Sequence, residues 1–150
     1  MRVVLVAPEI PQNTGSIGRL CVATHTPLHL IEPLGFRIDD YHLRRAGLDY
    51  WPFVDLHRWP DWATFCRERL PGRILCFCAR GGRAYTEVGY RQDDFLVFGS
   101  ESRGLPAALR TAYADALVTI PIDSAHVRSL NLATAVAIAL FEARRQVAHR

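Results

Sequence analysis

Short apolar runs recur along this chain, and each is cut off by a glycine, a proline or a charged cluster. Residues 1–7 (MRVVLVA) are apolar after Arg2, the pattern of a parallel strand buried on both faces. The same reading gives strands at 28–33 (LHLIEP), 73–78 (RILCFC), 95–98 (FLVF) and 116–120 (ALVTI), with a brief one at 51–54 (WPFV). Helices fill the intervals. The first runs to about His25, capped by Asn13 or Thr14. Asp39 and Asp40 open a short one through Arg45, stopped by Gly47. Others span 59–70, begun by Pro60, then 106–114 and 130–145. Strands and helices alternate without repeat, linker or low-complexity segment, which predicts one α/β domain over 1–150. Its sheet is mostly parallel and carries helices on both faces.

The last helix breaks the usual pattern. NLATAVAIALFEA, residues 131–143, is apolar almost all round, and polarity returns only at Glu142, Arg144 and Arg145. Such a helix needs cover on every face. Complete burial within the chain would supply it, and so would a second subunit. The expectation is a homodimer.

Polar loop-forming clusters follow four of the predicted strands, at 8–19, 79–83, 99–106 and 121–131. Ligands of open α/β sheets bind outside the C-terminal strand ends, so the four clusters are expected to converge on one site. Known phosphate loops do not describe it. GSESRG is neither G-x-G-x-x-G nor G-x-x-x-x-G-K-[ST], and Glu101 would repel a phosphate. A nucleophile elbow would need serine where Glu101 stands.

Composition narrows the class further. With 49% hydrophobic and 22% charged residues the chain is globular rather than disordered. The run at 3–7 is too short for a signal peptide or membrane span, so a cytoplasmic protein is expected. The net charge of +3 does not by itself imply nucleic acid. All 18 basic residues are arginine, which suits phosphate but equally reflects genome composition. Cys21, Cys66, Cys76 and Cys78 lack the spacing of a zinc site and are expected to be packed thiols, with neither metal nor disulfide.

Three stretches in order carry the most specific signal: NTGSIGR (13–19), FGSESRGLP (98–106) and IPIDSAHVRSLNLATAVA (120–137). Together they closely resemble the three signature motifs of the SPOUT superfamily of RNA 2′-O-methyltransferases, over nearly the whole chain. PEIPQNTG, IEPLGF and RRAGLDYW resemble its small single-domain group, which methylates the wobble ribose, cytidine or uridine, in the anticodon loop of leucine tRNAs. The resemblance implies a C-terminal trefoil knot, a homodimer formed through the knot and last helix, and S-adenosylmethionine held in a bent shape. It implies cofactor contacts, largely main-chain, from Phe77, Gly99, Ile120, Ser129 and Leu130. Gly99 is expected to let the backbone approach the cofactor.

Asn13, Arg19, Glu101, Ser129 and Asn131 match the family's polar active-site positions. The resemblance implies catalytic roles for Arg19, Glu101 and Asn131, and RNA contacts from Asn13, Arg19 and Ser129. Because a guanidinium only donates, Arg19 is read as orienting the 2′-hydroxyl and its neighbouring phosphate. Glu101 is read as holding Arg19 or capping amides of the loop, and Asn131 as a cap of the last helix. Arg103 and Arg128 are open between phosphate and solvent. The stretch around His126 is one residue longer than the group's pattern, and Phe141 replaces a frequent tyrosine. Two alternatives remain: the same chemistry at another tRNA or ribosomal RNA position, and a non-catalytic nucleotide- or RNA-binding module.

Overall fold

The computed structural model describes residues 1–39 and 49–148. The predicted helix after Asp39 falls outside them. The apolar runs form β1 (Arg2–Val6), β2 (Leu28–Ile31), β4 (Ile74–Phe77), β6 (Phe95–Phe98) and β7 (Leu117–Thr119). Two further strands, β3 (Leu56–Trp59) and β5 (Arg83–Ala84), complete a sheet of order β3-β2-β1-β6-β4-β7-β5. Every pairing is parallel. All strand C-termini therefore open on one edge, and β6 sits between β1 and β4.

Alternation along the strands sorts the core into two layers. Val3 and Leu5 join Leu28, Leu30, Leu75, Phe77, Leu96 and Phe98 under α1 (Pro11–Thr24) and α4 (Leu132–Ala148). Val4 and Val6 join Ile31, Ile74, Cys76, Phe95 and Val97 under α2 (Trp62–Glu68) and α3 (Ala107–Ala112). The inner side of α4, including Val136, Ala139, Leu140 and Ala143, is fully buried. Ala137 and Ile138 on its other side are only half-buried, and Phe141 is 56% exposed. The four cysteines are free thiols, and no described helix is long and apolar enough to cross a membrane.

Several expectations are corrected. Residues 51–54 are no strand: Trp51–Phe53 is a single 3-10 turn containing Pro52, its Trp51 ring seated on the bare Cα of Gly18. The strand lies just beyond, at β3, an edge with its middle residues exposed. Trp59 belongs to that strand, so the helix expected over 59–70 shrinks to α2. Its cap is Asp61, which accepts the Thr64 N–H at 2.7 Å. Neither Asn13 nor Thr14 caps α1. That helix starts at Pro11, with Ile10 as N-cap, and the Asn13 side chain is released for other work.

On the α2 face, His29 is 6% exposed. Its Nδ1 accepts from Trp59 Nε1–H at 3.0 Å, and its ring stacks on His57 at 4.6 Å. Burial first, then the charges of His57 and Arg2 against the opposing pull of Asp55, lower its pKa from 6.5 to about 4. The folded state thus resists a proton that the unfolded chain binds from pH 6.5 downward. The stability from neutral His29 is complete above pH 6.5 and drains away as pH falls towards 4. Urea unfolding at pH 7 and 4.5 should show that His29→Gln removes roughly 2–3 kcal/mol of the wild-type acid destabilisation. Parallel losses in the two proteins would contradict this.

Candidate active site

A cavity of about 810 Å³ opens at the C-terminal ends of β4, β6 and β7. Its apolar wall includes Phe77 and Phe98, whose rings stack at 4.7 Å and 16°, together with Ile120, Leu130 and Leu132. Gly99, Glu101, Ser129, Asn131 and Asn13 also line it. Of the nine residues to which the resemblance gives cofactor, catalytic or RNA roles, eight line the cavity and Arg19 does not.

A hydrogen-bonded relay crosses this site. Asn131 Nδ2 donates to Asn13 Oδ1 at 2.9 Å, and Asn13 Nδ2 donates to Glu101 Oε1 at 3.2 Å. The polarity of the chain is forced from both ends. The Glu101 carboxylate faces three N–H donors: Asn13 Nδ2, and the main-chain N–H of Glu9 at 2.7 Å and of Ile10 at 3.0 Å. At the other end Asn131 Oδ1 accepts the Thr134 N–H at 3.2 Å as the N-cap of α4. Each amide therefore has one orientation that satisfies both neighbours. Asn13 is 8% exposed, so leaving it unpaired would be costly.

The loop after β6 is locked from within. Ser100 and Gly104 exchange main-chain hydrogen bonds of 3.2 and 2.8 Å, and Gly104 has φ +67°. A Cβ on Gly99 would stand 1.9 Å from the Gly104 carbonyl carbon. The glycine is thus demanded by the loop's own closure, a reason that the sequence reading did not contain. Glu9 answers Glu101 across the gap, accepting the Ser102 N–H at 3.1 Å and its hydroxyl at 2.7 Å.

Arg19 stands outside the cavity lining of its own chain. It makes no contact with Glu101 and instead sits exposed over the Tyr50 ring at 5.8 Å, while the Tyr50 hydroxyl donates to the Gly15 carbonyl at 2.7 Å. Helical geometry explains the separation: six residues beyond Asn13, Arg19 projects about 120° away around α1. Sequence reasoning missed Cys78 and Arg110 as site residues and included Arg80 only within the 79–83 cluster; all three line the cavity. Only their places just after β4 and on the helix following the 99–104 loop could have signalled them. Burial raises the pKa of the half-buried Cys78 thiol, which donates to the Arg80 carbonyl at 3.2 Å and is no activated nucleophile.

Asn131→Asp separates the two roles of this side chain. Aspartate caps a helix as well as asparagine does but has no proton to give Asn13. Denaturant unfolding at neutral pH should show a loss of about 1–3 kcal/mol with helix content intact. Unchanged stability would mean that the link contributes nothing.

Comparison with known proteins completes the description. Residues 1–141 match the model of the SpoU rRNA Methylase family. A Burkholderia cenocepacia protein named tRNA (cytidine(34)-2′-O)-methyltransferase is 46% identical over 147 residues, 96% of this chain and 94% of its own length. The Escherichia coli K12 protein of that name is 44% identical over 152 residues, covering 99% and 95%. A solved structure described as giving insights into the 2-OH methylation of C/U34 on tRNA superposes with a TM-score of 0.90 at 47% identity, covering 99% and 97%. The methyltransferase AviRb from Streptomyces viridochromogenes, solved with AdoMet, gives 0.79 at 27% identity, with 97% of this chain spanning 57% of that one. The match runs through all three motifs that build the cavity, and the chain belongs to the SpoU rRNA methylase family.

Proposed function

We propose that this protein transfers a methyl group from S-adenosylmethionine to the ribose 2′-hydroxyl of the wobble nucleotide, cytidine or uridine, in tRNA, with leucine tRNAs as targets. The observation that carries the reading is the meeting of the three motif stretches on one cavity, in a chain 44–46% identical to proteins named for that activity. The cavity suits the cofactor. Its volume admits a nucleoside, the stacked Phe77 and Phe98 offer an apolar surface to adenine, and the one carboxylate lining it among the described residues is already engaged. Phe77, Gly99, Ile120, Ser129 and Leu130 would hold it. When bound, it supplies an electrophilic methyl group on a sulfonium sulfur.

The chain's own residues supply positioning, which lowers such a barrier by several kcal/mol. Glu101 and Asn131 set the separation of the loops through Asn13, and Ser129, which lines the cavity, is assigned to the ribose. Arg19 is assigned to the 2′-hydroxyl and its adjacent phosphate. Since it stands apart from the cavity of its own chain, we assign it to the cavity of a second copy. The half-buried outer side of α4, with Phe141 exposed, supports a homodimer there, and the motif resemblance supports a C-terminal trefoil knot. A tRNA substrate supports a cytoplasmic location.

Tritiated methyl transfer to tRNA should depend on the 2′-hydroxyl of nucleotide 34. Transfer confined to ribosomal RNA would redirect the reading, and binding without any transfer would overturn it. Arg19→Ala should abolish turnover and leave cofactor affinity unchanged. Arg19→Ala and Glu101→Gln proteins, each near background alone, should recover roughly a quarter of wild-type turnover when mixed and allowed to exchange subunits. No recovery would place Arg19 in its own chain's reaction.

A further inference from the structure

The arginines divide by location. Arg37, Arg58, Arg67, Arg73 and Arg145 are ion-paired with Asp39, Glu32, Glu68, Asp94 and Glu142. Arg2, Arg69 and Arg144 donate to main-chain carbonyls, and Arg19 lies over Tyr50. Among the described residues, the guanidinium groups of Arg80, Arg83, Arg91, Arg103, Arg110 and Arg128 have no such partner. Four of these, Arg80, Arg103, Arg110 and Arg128, line the same cavity, and all four are exposed.

They reach it from four separate pieces of chain: the turn after β4, the 99–104 loop, α3, and the segment before α4. Among the described residues the only carboxylate lining the cavity, Glu101, is already held by two main-chain N–H groups and the Asn13 amide. Four like charges gathered without a counter-charge repel one another, while five arginines elsewhere are ion-paired. S-adenosylmethionine cannot neutralise them, because its single carboxylate is outweighed by an ammonium and a sulfonium. A polyanion can, and the planar fork of arginine matches phosphate oxygens.

We propose that Arg80, Arg103, Arg110 and Arg128 form a phosphate-binding track around the cavity mouth that grips the backbone of the single-stranded RNA flanking the methylated nucleotide. The track rests on the reading of the chain as an RNA ribose methyltransferase. It adds the site by which so small a domain holds its substrate. Each phosphate contact on a single strand contributes about −0.7 to the slope of log affinity against log salt, so four contacts give a slope of about −2.8.

The test uses anisotropy of a labelled anticodon stem-loop RNA between about 0.05 and 0.3 M salt, with S-adenosylmethionine present. Arg80→Gln, Arg103→Gln, Arg110→Gln and Arg128→Gln should each flatten the slope by about 0.7 and weaken binding about fourfold at 0.15 M salt. Thermal unfolding and calorimetric affinity for S-adenosylmethionine should stay at wild-type values, since these guanidinium groups make no hydrogen bond or ion pair within the fold. Arg67→Gln, which removes an ion-paired surface arginine, should leave the slope unchanged. Four unchanged slopes would refute the track, and continued methyl transfer in the same proteins would leave the methyltransferase reading standing. Loss of cofactor affinity with an unchanged slope would assign that arginine to the cofactor and remove it from the track. A wild-type slope of about −2.8 without methyl transfer to any RNA would support the track and overturn the enzymatic reading.

Discussion

Asn13 can satisfy Glu101 and Asn131 together in one orientation only, and the architecture of the site follows from that constraint. Its amide nitrogen must face a carboxylate that already takes two main-chain N–H groups, which leaves its oxygen for Asn131. Through this one buried side chain the start of α1, the loop after β6 and the start of α4 hold each other in place. Those pieces lie 88 and 118 residues from Asn13 along the chain. No local propensity could set their spacing. Two hydrogen bonds from Ser102 to the Glu9 carboxylate fasten the same two loops a second time, closer to solvent.

The parallel sheet was legible because strands buried on both faces read as unbroken apolar runs, and β1, β2, β4, β6 and β7 do. β3 was not. Leu56–Trp59 is an edge strand with His57 and Arg58 exposed, and the neighbouring Pro60 imitated a helix start. β5, two residues in a glycine-rich turn, carries no periodic signal at all. The site was legible as a set of loops, since polar clusters at strand ends have few structural reasons to exist. Its internal wiring was not. A helix beginning at Pro11 rather than at Asn13 turns Asn13 from a cap into a bridge and sends Arg19 to another side. The reason for Gly99 was equally hidden, because the atoms it must avoid belong to its own loop five and six residues ahead.

Charge and packing divide the labour around the cavity. Apolar and main-chain groups from β4, β6, β7 and the 129–130 segment form its inner wall, as a nucleoside requires. Around them stand the unpaired arginines, as a polyanion requires. The relay keeps the two zones in register without lending either of them a charge, since its only carboxylate is consumed internally. The family's chemistry asks for little more than an aligned hydroxyl and a held methyl donor, so the rigidity of these loops is the main contribution a small chain can make.

Glu101 and Asn131 reach each other only through Asn13, and a double-mutant cycle on S-adenosylmethionine affinity measures that connection directly. Glu101→Gln and Asn131→Ala, measured by calorimetry singly and together, should depart from additivity by more than about 0.5 kcal/mol. The departure should vanish when Asn13 is replaced by alanine. Additive effects in the wild-type background would contradict the relay as the element that organises the site.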